Sequence, residues 1–239
     1  MTTASAPDSA LVGAVRAALA GAGDPVRAGG QQAYMKSAMP YRGITSPELR
    51  ALLKPLLADA TLAPTSREAW ESDVRVLWDD ATHREERYAA IALTDHPVAR
   101  GWQDPAALGL YRHLVVSGAW WDYVDVVAAD RVGPILLRHR GVVTSVMRSY
   151  AVDGHLWVRR TAILAQLKHG DATELDLLAG VLDANLQDSL HGREFFIRKA
   201  VGWALRQHAR TDPDWVRDYV DTRGPRLSGL SRREALKHL

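Results

Sequence analysis

Hydrophobic positions recur along the chain at three- and four-residue spacing, which is the period of an amphipathic α-helix. The pattern is clearest in segments 11–20, 49–57, 74–78, 88–93 and 175–182. The alternation of apolar and polar residues typical of strands is missing, and the one Asp-Gly pair, Asp153-Gly154, lies between helical stretches. The pattern therefore predicts an all-α protein with roughly ten to twelve helices of about 8–18 residues.

Helix-start signals support this assignment. Three segments place a hydroxyl residue three positions before a glutamate, the pattern of a capping box: Thr45–Glu48, Thr65–Glu68 and Ser231–Glu234. Asp104-Pro105 and Asp212-Pro213 each provide an N-cap acceptor followed by proline at the first helical position. These residues predict five helix N-termini.

Glycine and proline residues separate the helical segments, and pairs of helices recur over about 35–45 residues. This spacing favours a helical-repeat array over a four-helix bundle. In such an array successive inner helices line a curved face. We expect a single domain over residues 1–239, in which residues 1–30 form an N-terminal extension without a motif.

The composition excludes several classes of protein. The chain has 239 residues, 47% hydrophobic and 24% charged, as soluble globular proteins do. Cysteine is absent, which excludes disulfides, thiol catalysis and thiolate zinc sites. No apolar run approaches the roughly 18 residues that span a bilayer, and the N-terminus lacks the features of a signal peptide. We expect a cytoplasmic protein.

Motifs for common cofactors are also missing. The sequence has no GxxxxGK[ST], GxGxxG, HExxH or GxSxG segment, and its nine histidines lack metal-ligand spacing. We therefore expect neither a nucleotide cofactor nor a metal site.

Charge is distributed unevenly although the net charge is only +2. Residues 59–104 carry a net charge of −5, residues 131–170 carry +6, and residues 191–239 carry +5. A basic surface on a nearly neutral protein points to a polyanionic partner, most often nucleic acid.

Three helical segments combine aromatic, acidic and basic residues. Trp121 and Asp125 are four residues apart and share one helix face. Taken alone, this spacing more commonly marks a core indole and a solvated carboxylate. Arg160 and Lys168 fall on one stripe that can meet successive phosphates, but an ordinary amphipathic helix with two exposed cations has the same pattern.

The third segment places Lys199, Trp203 and Arg206 on one stripe, with Arg210 a turn further. A tryptophan inside a basic stripe is harder to interpret as a core residue. Gly202 costs a helix about 1 kcal/mol, which indicates the close approach of another backbone.

Taken together, these segments resemble the AlkD family of DNA alkylation repair glycosylases. The resemblance covers most of the chain, from about Tyr34 onward, and its motifs occur in the family's order. It rests on five motifs, AYMKSAMPYRGITSPELR at 33–50, SGAWWDYVD at 117–125, WVRRTAILAQLK at 157–168, EFFIRKAVGWALR at 194–206 and LSRREALKHL at 230–239.

The resemblance implies a HEAT-like helical-repeat solenoid whose concave basic face holds duplex DNA. It implies hydrolysis of the N-glycosidic bond of N3- and N7-alkylated purines, in base excision repair, by a monofunctional, monomeric, cofactor-free enzyme near the nucleoid. Trp121, Asp125 and Trp203 match the family's catalytic positions. The matching DNA-binding positions are Arg160 (beside the carboxylate), Lys168, Arg206, Lys199 and Tyr34.

The chemistry of these lesions fits this small set of residues. A purine alkylated at N3 or N7 is cationic, so its glycosidic bond is already weakened and the base leaves without protonation. The barrier is then the oxocarbenium-like sugar, which one carboxylate can stabilise while it orients water. The resemblance further implies that the enzyme contacts the sugar and backbone and does not grip a flipped base.

Two other functions remain open at this point. A non-catalytic DNA-binding protein could use the same fold, although it would not need the aspartate and both tryptophans. A helical-repeat adaptor for other proteins predicts apolar or mixed inner faces instead of basic and aromatic ones.

Overall fold

The computed structural model describes residues 8–239, and in this part of the chain it has fourteen α-helices and no strand. The prediction of an all-α protein is confirmed. The helices are more numerous than expected because short breaks divide some apolar stretches. None of the helices in residues 8–239 has the length and apolar character to cross a membrane. The chain divides into two compact units, Met1–Trp102 and Gln103–Leu239.

Five α-helices build the described part of the first unit. In chain order they are Ala10–Gly21 (α1), Pro25–Met35 (α2), Ser46–Ala58 (α3), Arg67–Asp79 (α4) and Arg84–Leu93 (α5), followed by the 3-10 segment Pro97–Trp102. Helix α1 packs on α3, α4 and α5. The core between them includes the buried indoles of Trp70 and Trp78, and Trp70 donates a hydrogen bond of 3.0 Å to the Leu93 carbonyl.

Helix starts in the first unit follow the predicted chemistry with one shift. The Thr45–Glu48 capping box is present: the Glu48 carboxylate accepts from the Thr45 amide at 2.8 Å, which helps to lower the pKa of Glu48 to about 2. The box predicted at Thr65–Glu68 is wrong by one residue. The N-cap is Ser66, whose hydroxyl accepts from the Ala69 amide, because the helix begins only at Arg67.

Nine α-helices build the second unit. They are Leu108–Gly118 (α6), Trp121–Val127 (α7), Gly133–Arg138 (α8), Arg140–Ala151 (α9), Leu156–Leu164 (α10), Leu175–Asp183 (α11), Phe195–His208 (α12), Pro213–Arg223 (α13) and Gly229–Ala235 (α14). Short 3-10 segments lie at Pro105–Ala107, Gly170–Ala172 and Gly224–Arg226, and the π-helical turn Ala128–Val132 joins α7 to α8.

Helix α10 lies at the centre of the second unit. All its residues from Trp157 to Leu164 are buried, and it packs on α6, α7, α9, α11 and α12. Such complete burial is unusual for a helix that carries Arg159 and Arg160. The guanidinium of Arg159 donates to the carbonyl oxygens of Asp153, Val152 and Ala184, so its charge is satisfied by backbone.

Helix α12 packs along α14, and the two helices lie very close together at Gly202. A Cβ atom at this position would lie 2.5 Å from the Cβ of Glu234 and 3.0 Å from the Ser231 carbonyl oxygen. The predicted close approach of a second backbone at Gly202 is confirmed. Only glycine allows the two helices to meet at this distance.

In the second unit two predicted local features are wrong and two predicted helix caps are confirmed. The helix of the 157–168 segment ends at Leu164, so Lys168 is not on its stripe. The capping box predicted at Ser231–Glu234 is wrong, because α14 begins earlier and Ser228 is its N-cap, accepting from the Ser231 amide at 3.0 Å. The caps at Asp104 and Asp212 are confirmed by hydrogen bonds from backbone amides, although Asp104 caps a 3-10 segment.

Candidate active site

A pocket of about 400 Å³ opens in the second unit between α7, α10, α12 and α14. It brings together six of the eight residues predicted from the sequence. Its lining consists of Trp121, Asp125, Arg160, Phe195, Phe196, Lys199, Trp203, Arg206 and Glu234.

The first wall is made by α7. Helix α6 ends at Gly118, its C-cap Ala119 has a left-handed backbone with φ of 43°, and Trp120 then returns to an extended conformation before α7 begins. Trp121 is the first residue of α7 and Asp125 follows one turn later. The four-residue spacing therefore places the indole and the carboxylate on the same side of the helix, as predicted.

Arg160 of α10 holds Asp125 in a two-pronged ion pair. Its Nε donates to one carboxylate oxygen at 2.7 Å and its Nη2 donates to the other at 2.8 Å. The Arg160 side chain is only 5% exposed, and its remaining prong donates to the Phe196 carbonyl. This position corrects the expectation, drawn from the stripe of α10, that Arg160 meets a phosphate, and it agrees with the resemblance, which put Arg160 beside the carboxylate. The guanidinium fixes the orientation of the Asp125 carboxylate.

Two opposing effects act on Asp125. Burial disfavours its charged form and raises its pKa above the ordinary value, while the hydrogen bonds and charge of Arg160 act in the other direction. The result is a carboxylate held by one cation and poorly hydrated. Such a group interacts more strongly with a nearby developing positive charge than a solvated carboxylate does.

Aromatic side chains form the apolar part of the pocket. Phe196 packs between Trp120 and Trp157, with ring centroids 5.5 and 5.0 Å away, and Phe195 contacts it edge-on at the exposed rim. These are the only two phenylalanines in the chain. Sequence reasoning did not single them out, although their rarity and adjacency were a usable signal.

Helices α12 and α14 supply the charged side of the pocket. Lys199, Trp203 and Arg206 lie on one face of α12, as their spacing predicted. Glu234 of α14 accepts a hydrogen bond of 2.8 Å from the Lys199 ammonium group and another from the Arg206 guanidinium. Glu234 was missed as a pocket residue because the capping-box pattern gave its carboxylate a local role.

The other two predicted residues, Lys168 and Tyr34, lie outside this pocket, as does Arg210 of the α12 stripe. Lys168 follows the end of α10, is 62% exposed and forms an ion pair with Asp130 of the π-helical turn. Lys168 and Arg210 line a separate cavity of about 140 Å³. Tyr34 lies on α2 in the first unit with its side chain 80% exposed.

Within residues 8–239, no group of three or more histidine, aspartate or glutamate side chains is arranged to hold a metal ion. The pocket lining itself offers one largely buried carboxylate with its guanidinium partner, two indoles, two phenylalanine rings and a cationic pair with its own carboxylate.

Comparisons with known proteins identify the family of the chain. A family model described as DNA alkylation repair enzyme matches residues 15–239. A solved structure described as a predicted DNA alkylation repair enzyme from Enterococcus faecalis is 31% identical to the chain, with a TM-score of 0.79, and the match covers 91% of this chain and 96% of that one. A search of curated proteins finds no match. On the strength of the family match over nearly its whole length, the chain belongs to the DNA alkylation repair enzyme family.

Proposed function

We propose that the protein is a monofunctional DNA glycosylase that hydrolyses the N-glycosidic bond of cationic N3- and N7-alkylated purines in duplex DNA. The observation that carries the proposal is the Asp125 carboxylate, largely buried and held by Arg160 beside the indoles of Trp121 and Trp203. Family membership supports alkylation damage as the target.

The proposed reaction needs little from the protein beyond electrostatics. The bond between C1′ and the purine nitrogen breaks, and its electron pair neutralises the cationic base, which leaves without a proton. Water adds to C1′ and loses its proton to Asp125 or to solvent, which produces an abasic site and a free base. Asp125 stabilises the oxocarbenium-like sugar between these events.

Arg160 has a specific part in this scheme. A carboxylate as buried as Asp125 tends to hold a proton at neutral pH unless a cation opposes that tendency. Arg160 provides the opposing charge, and its two parallel hydrogen bonds leave the carboxylate one orientation. Asp125 is thereby ready to face the sugar without reorganisation during the reaction.

The aromatic residues act on the same positive charge. Trp121 and Trp203 are partly exposed in the pocket, so their faces are available to a sugar. An indole face attracts a cation, and this attraction strengthens when water is excluded. The proposal therefore assigns them both sugar contact and charge stabilisation, without a grip on a flipped base.

Basic residues outside the Asp125 pair serve DNA binding in this proposal. Lys199 and Arg206 contact the backbone near the lesion, Lys168 contacts it elsewhere, and the aromatic Tyr34 adds a further contact. Binding of this kind is electrostatic and weakly sequence-specific, so log affinity falls with log salt by about 0.9 for each phosphate neutralised. The protein works as a cytoplasmic, nucleoid-associated monomer without a cofactor.

The deciding experiment incubates the protein with methylated duplex DNA and identifies released bases by mass spectrometry. We expect 7-methylguanine and 3-methyladenine, and we expect Asp125→Asn to release them about 10²–10³ times more slowly. A protein that binds duplex DNA in a salt-dependent manner but releases no base would be the non-catalytic alternative. A protein with no affinity for duplex DNA would refute the proposal altogether.

A further inference from the structure

Glu234 forms ion pairs with Lys199 and Arg206, the two cations of the pocket that are not paired with Asp125. One of its carboxylate oxygens accepts from Lys199 and the other accepts from Arg206. Lys199 lies four residues before Trp203 on α12 and Arg206 lies three residues after it. Glu234 therefore connects one cation on each side of the Trp203 indole.

The backbone around Glu234 leaves this carboxylate little freedom. Gly202 brings α12 so close to α14 that the Cβ of Glu234 would lie 2.5 Å from an added Cβ. One turn earlier on α14, the Ser231 hydroxyl donates a hydrogen bond of 2.8 Å to the Arg198 carbonyl. The Glu234 side chain is 18% exposed, against 25% for Arg206 and 40% for Lys199, so the carboxylate is the least exposed group of the three.

The charge of Glu234 is retained at neutral pH. Hydrogen bonding to Lys199 is the largest influence and lowers the pKa of Glu234, against a smaller opposing effect of burial. With Arg160 committed to Asp125, the pair Lys199 and Arg206 carries one more positive charge than Glu234 cancels. An ammonium has three N–H donors and a guanidinium has five, so both cations keep donors beyond those that Glu234 accepts.

We propose that Glu234 is a positioning residue that presets Lys199 and Arg206 as a binding site for one phosphate group of the DNA backbone. The inference rests on the proposed function, since the phosphate is that of the nucleotide whose sugar meets Asp125. The two cations, one before and one after Trp203 on α12, fix the DNA backbone so that the sugar lies against the Trp203 indole and the Asp125 carboxylate. Orientation of this kind is a recognised source of rate enhancement.

The Glu234 carboxylate is expected to raise the reaction rate by positioning the cations, but to weaken the affinity for DNA. Its charge repels DNA, so its removal increases the net attraction between the pocket and the backbone. Positioning and attraction therefore predict different outcomes for the same substitution. In Glu234→Gln, we expect affinity for an undamaged duplex to hold or rise, while the single-turnover rate of 7-methylguanine release falls about 10- to 100-fold.

The matched control is Glu174→Gln. Glu174 also forms an ion pair of 2.8 Å, with Arg140, its side chain is 32% exposed, and it does not line the pocket. The control variant undergoes the same change of net charge, and we expect it to match the wild type in rate. A rate loss of equal size in both variants would mean that net charge alone is responsible and would overturn the proposal.

A double-mutant cycle separates positioning from a structural role. The cycle compares Glu234→Gln in the wild type with the same change in a Lys199→Met, Arg206→Met background. If Glu234 acts through the two cations, the change adds little further rate loss in that background. Equal losses in both backgrounds, or a loss that tracks the Tm of each variant, would show that Glu234 only supports the fold.

Binding measurements keep this test separate from the glycosylase proposal. The probes are an undamaged duplex and the same duplex with a tetrahydrofuran abasic analogue, which presents sugar and phosphate without a base. We expect Glu234→Gln to lose the preference for the analogue by about the same 10- to 100-fold. An unchanged preference overturns the positioning role, whereas a wild-type protein that prefers the analogue but releases no base overturns only the proposed reaction.

Discussion

The substitution Asp125→Asn tests the proposed mechanism most directly because it nearly preserves shape and removes the charge. In the wild type both carboxylate oxygens accept from Arg160, at 2.7 and 2.8 Å. Asparagine keeps one acceptor oxygen and turns an amide N–H₂ toward a guanidinium that can only donate. One of the two hydrogen bonds is lost, together with the charge that opposes buried Arg160.

Two magnitudes follow from this geometry. Removing one partner of a buried ion pair costs about 3–5 kcal/mol. We expect the lower end, about 3 kcal/mol, because Arg160 keeps the Phe196 carbonyl and one amide oxygen. Loss of one preorganised electrostatic stabiliser reduces the chemical rate by about 10²–10³, or about 3–4 kcal/mol.

The assay has to separate these two effects. Single-turnover release of 7-methylguanine is measured well below the Tm of the variant, beside binding of a duplex that cannot be cleaved. We expect the rate to fall by the stated factor while affinity holds or rises slightly, since a carboxylate that repels phosphate is gone. A near-full single-turnover rate in Asp125→Asn would make the carboxylate structural and refute the mechanism.

The chain contains a matched control for this substitution. Asp183 forms the same two-pronged ion pair with Arg223, at 3.0 and 2.8 Å, and does not line the pocket. Both side chains of that pair are more exposed than those of Asp125 and Arg160. Asp183→Asn should therefore destabilise the protein less than Asp125→Asn does, and its single-turnover rate should match that of the wild type.

Three more outcomes follow. If the positive charge of the lesion activates the leaving group, neither hypoxanthine nor 1,N6-ethenoadenine should be released, as mass spectrometry of the products can check; efficient release of hypoxanthine would reveal an unrecognised general acid. The reaction requires ionised Asp125, whose pKa burial raises, so the single-turnover rate should fall on acidification at a pH above the ordinary pKa of 3.8; a pH-independent rate down to that value would contradict this. Gly202→Ala gains about 1 kcal/mol of helix propensity but forces α14 away from α12, at a cost of about 1–3 kcal/mol; chemical denaturation should show a net loss, and a more stable variant would refute the packing argument.

Helical periodicity explains which parts of the site were predictable. The spacing of Trp121 and Asp125, and that of Lys199, Trp203 and Arg206, determines the shared face as soon as each segment is helical. Both segments are helical, and both faces line the pocket. Local geometry was therefore sufficient for these five residues.

Pairings between helices were not predictable in the same way. The spacing within its own helix placed Arg160 toward a phosphate, because its sequence neighbours do not show that α7 packs on α10. Only the family resemblance put Arg160 beside the carboxylate. Glu234 was predicted to complete a capping box because Ser231, three residues earlier, fits that sequence pattern. The actual N-cap of α14 is Ser228. The end of α10 at Leu164 was missed since no glycine or proline follows before Gly170. In each case tertiary packing decided between local alternatives.

The pocket has a consequence for how activity is gained and lost. Its walls come from α7, α10, α12 and α14, which are distant in the chain and meet only when the long segments between them have closed. No excised peptide can reproduce the site, and during refolding catalysis should appear only after the second unit has assembled. For the same reason, local unfolding of any one of these helices would abolish activity while most of the protein is still folded.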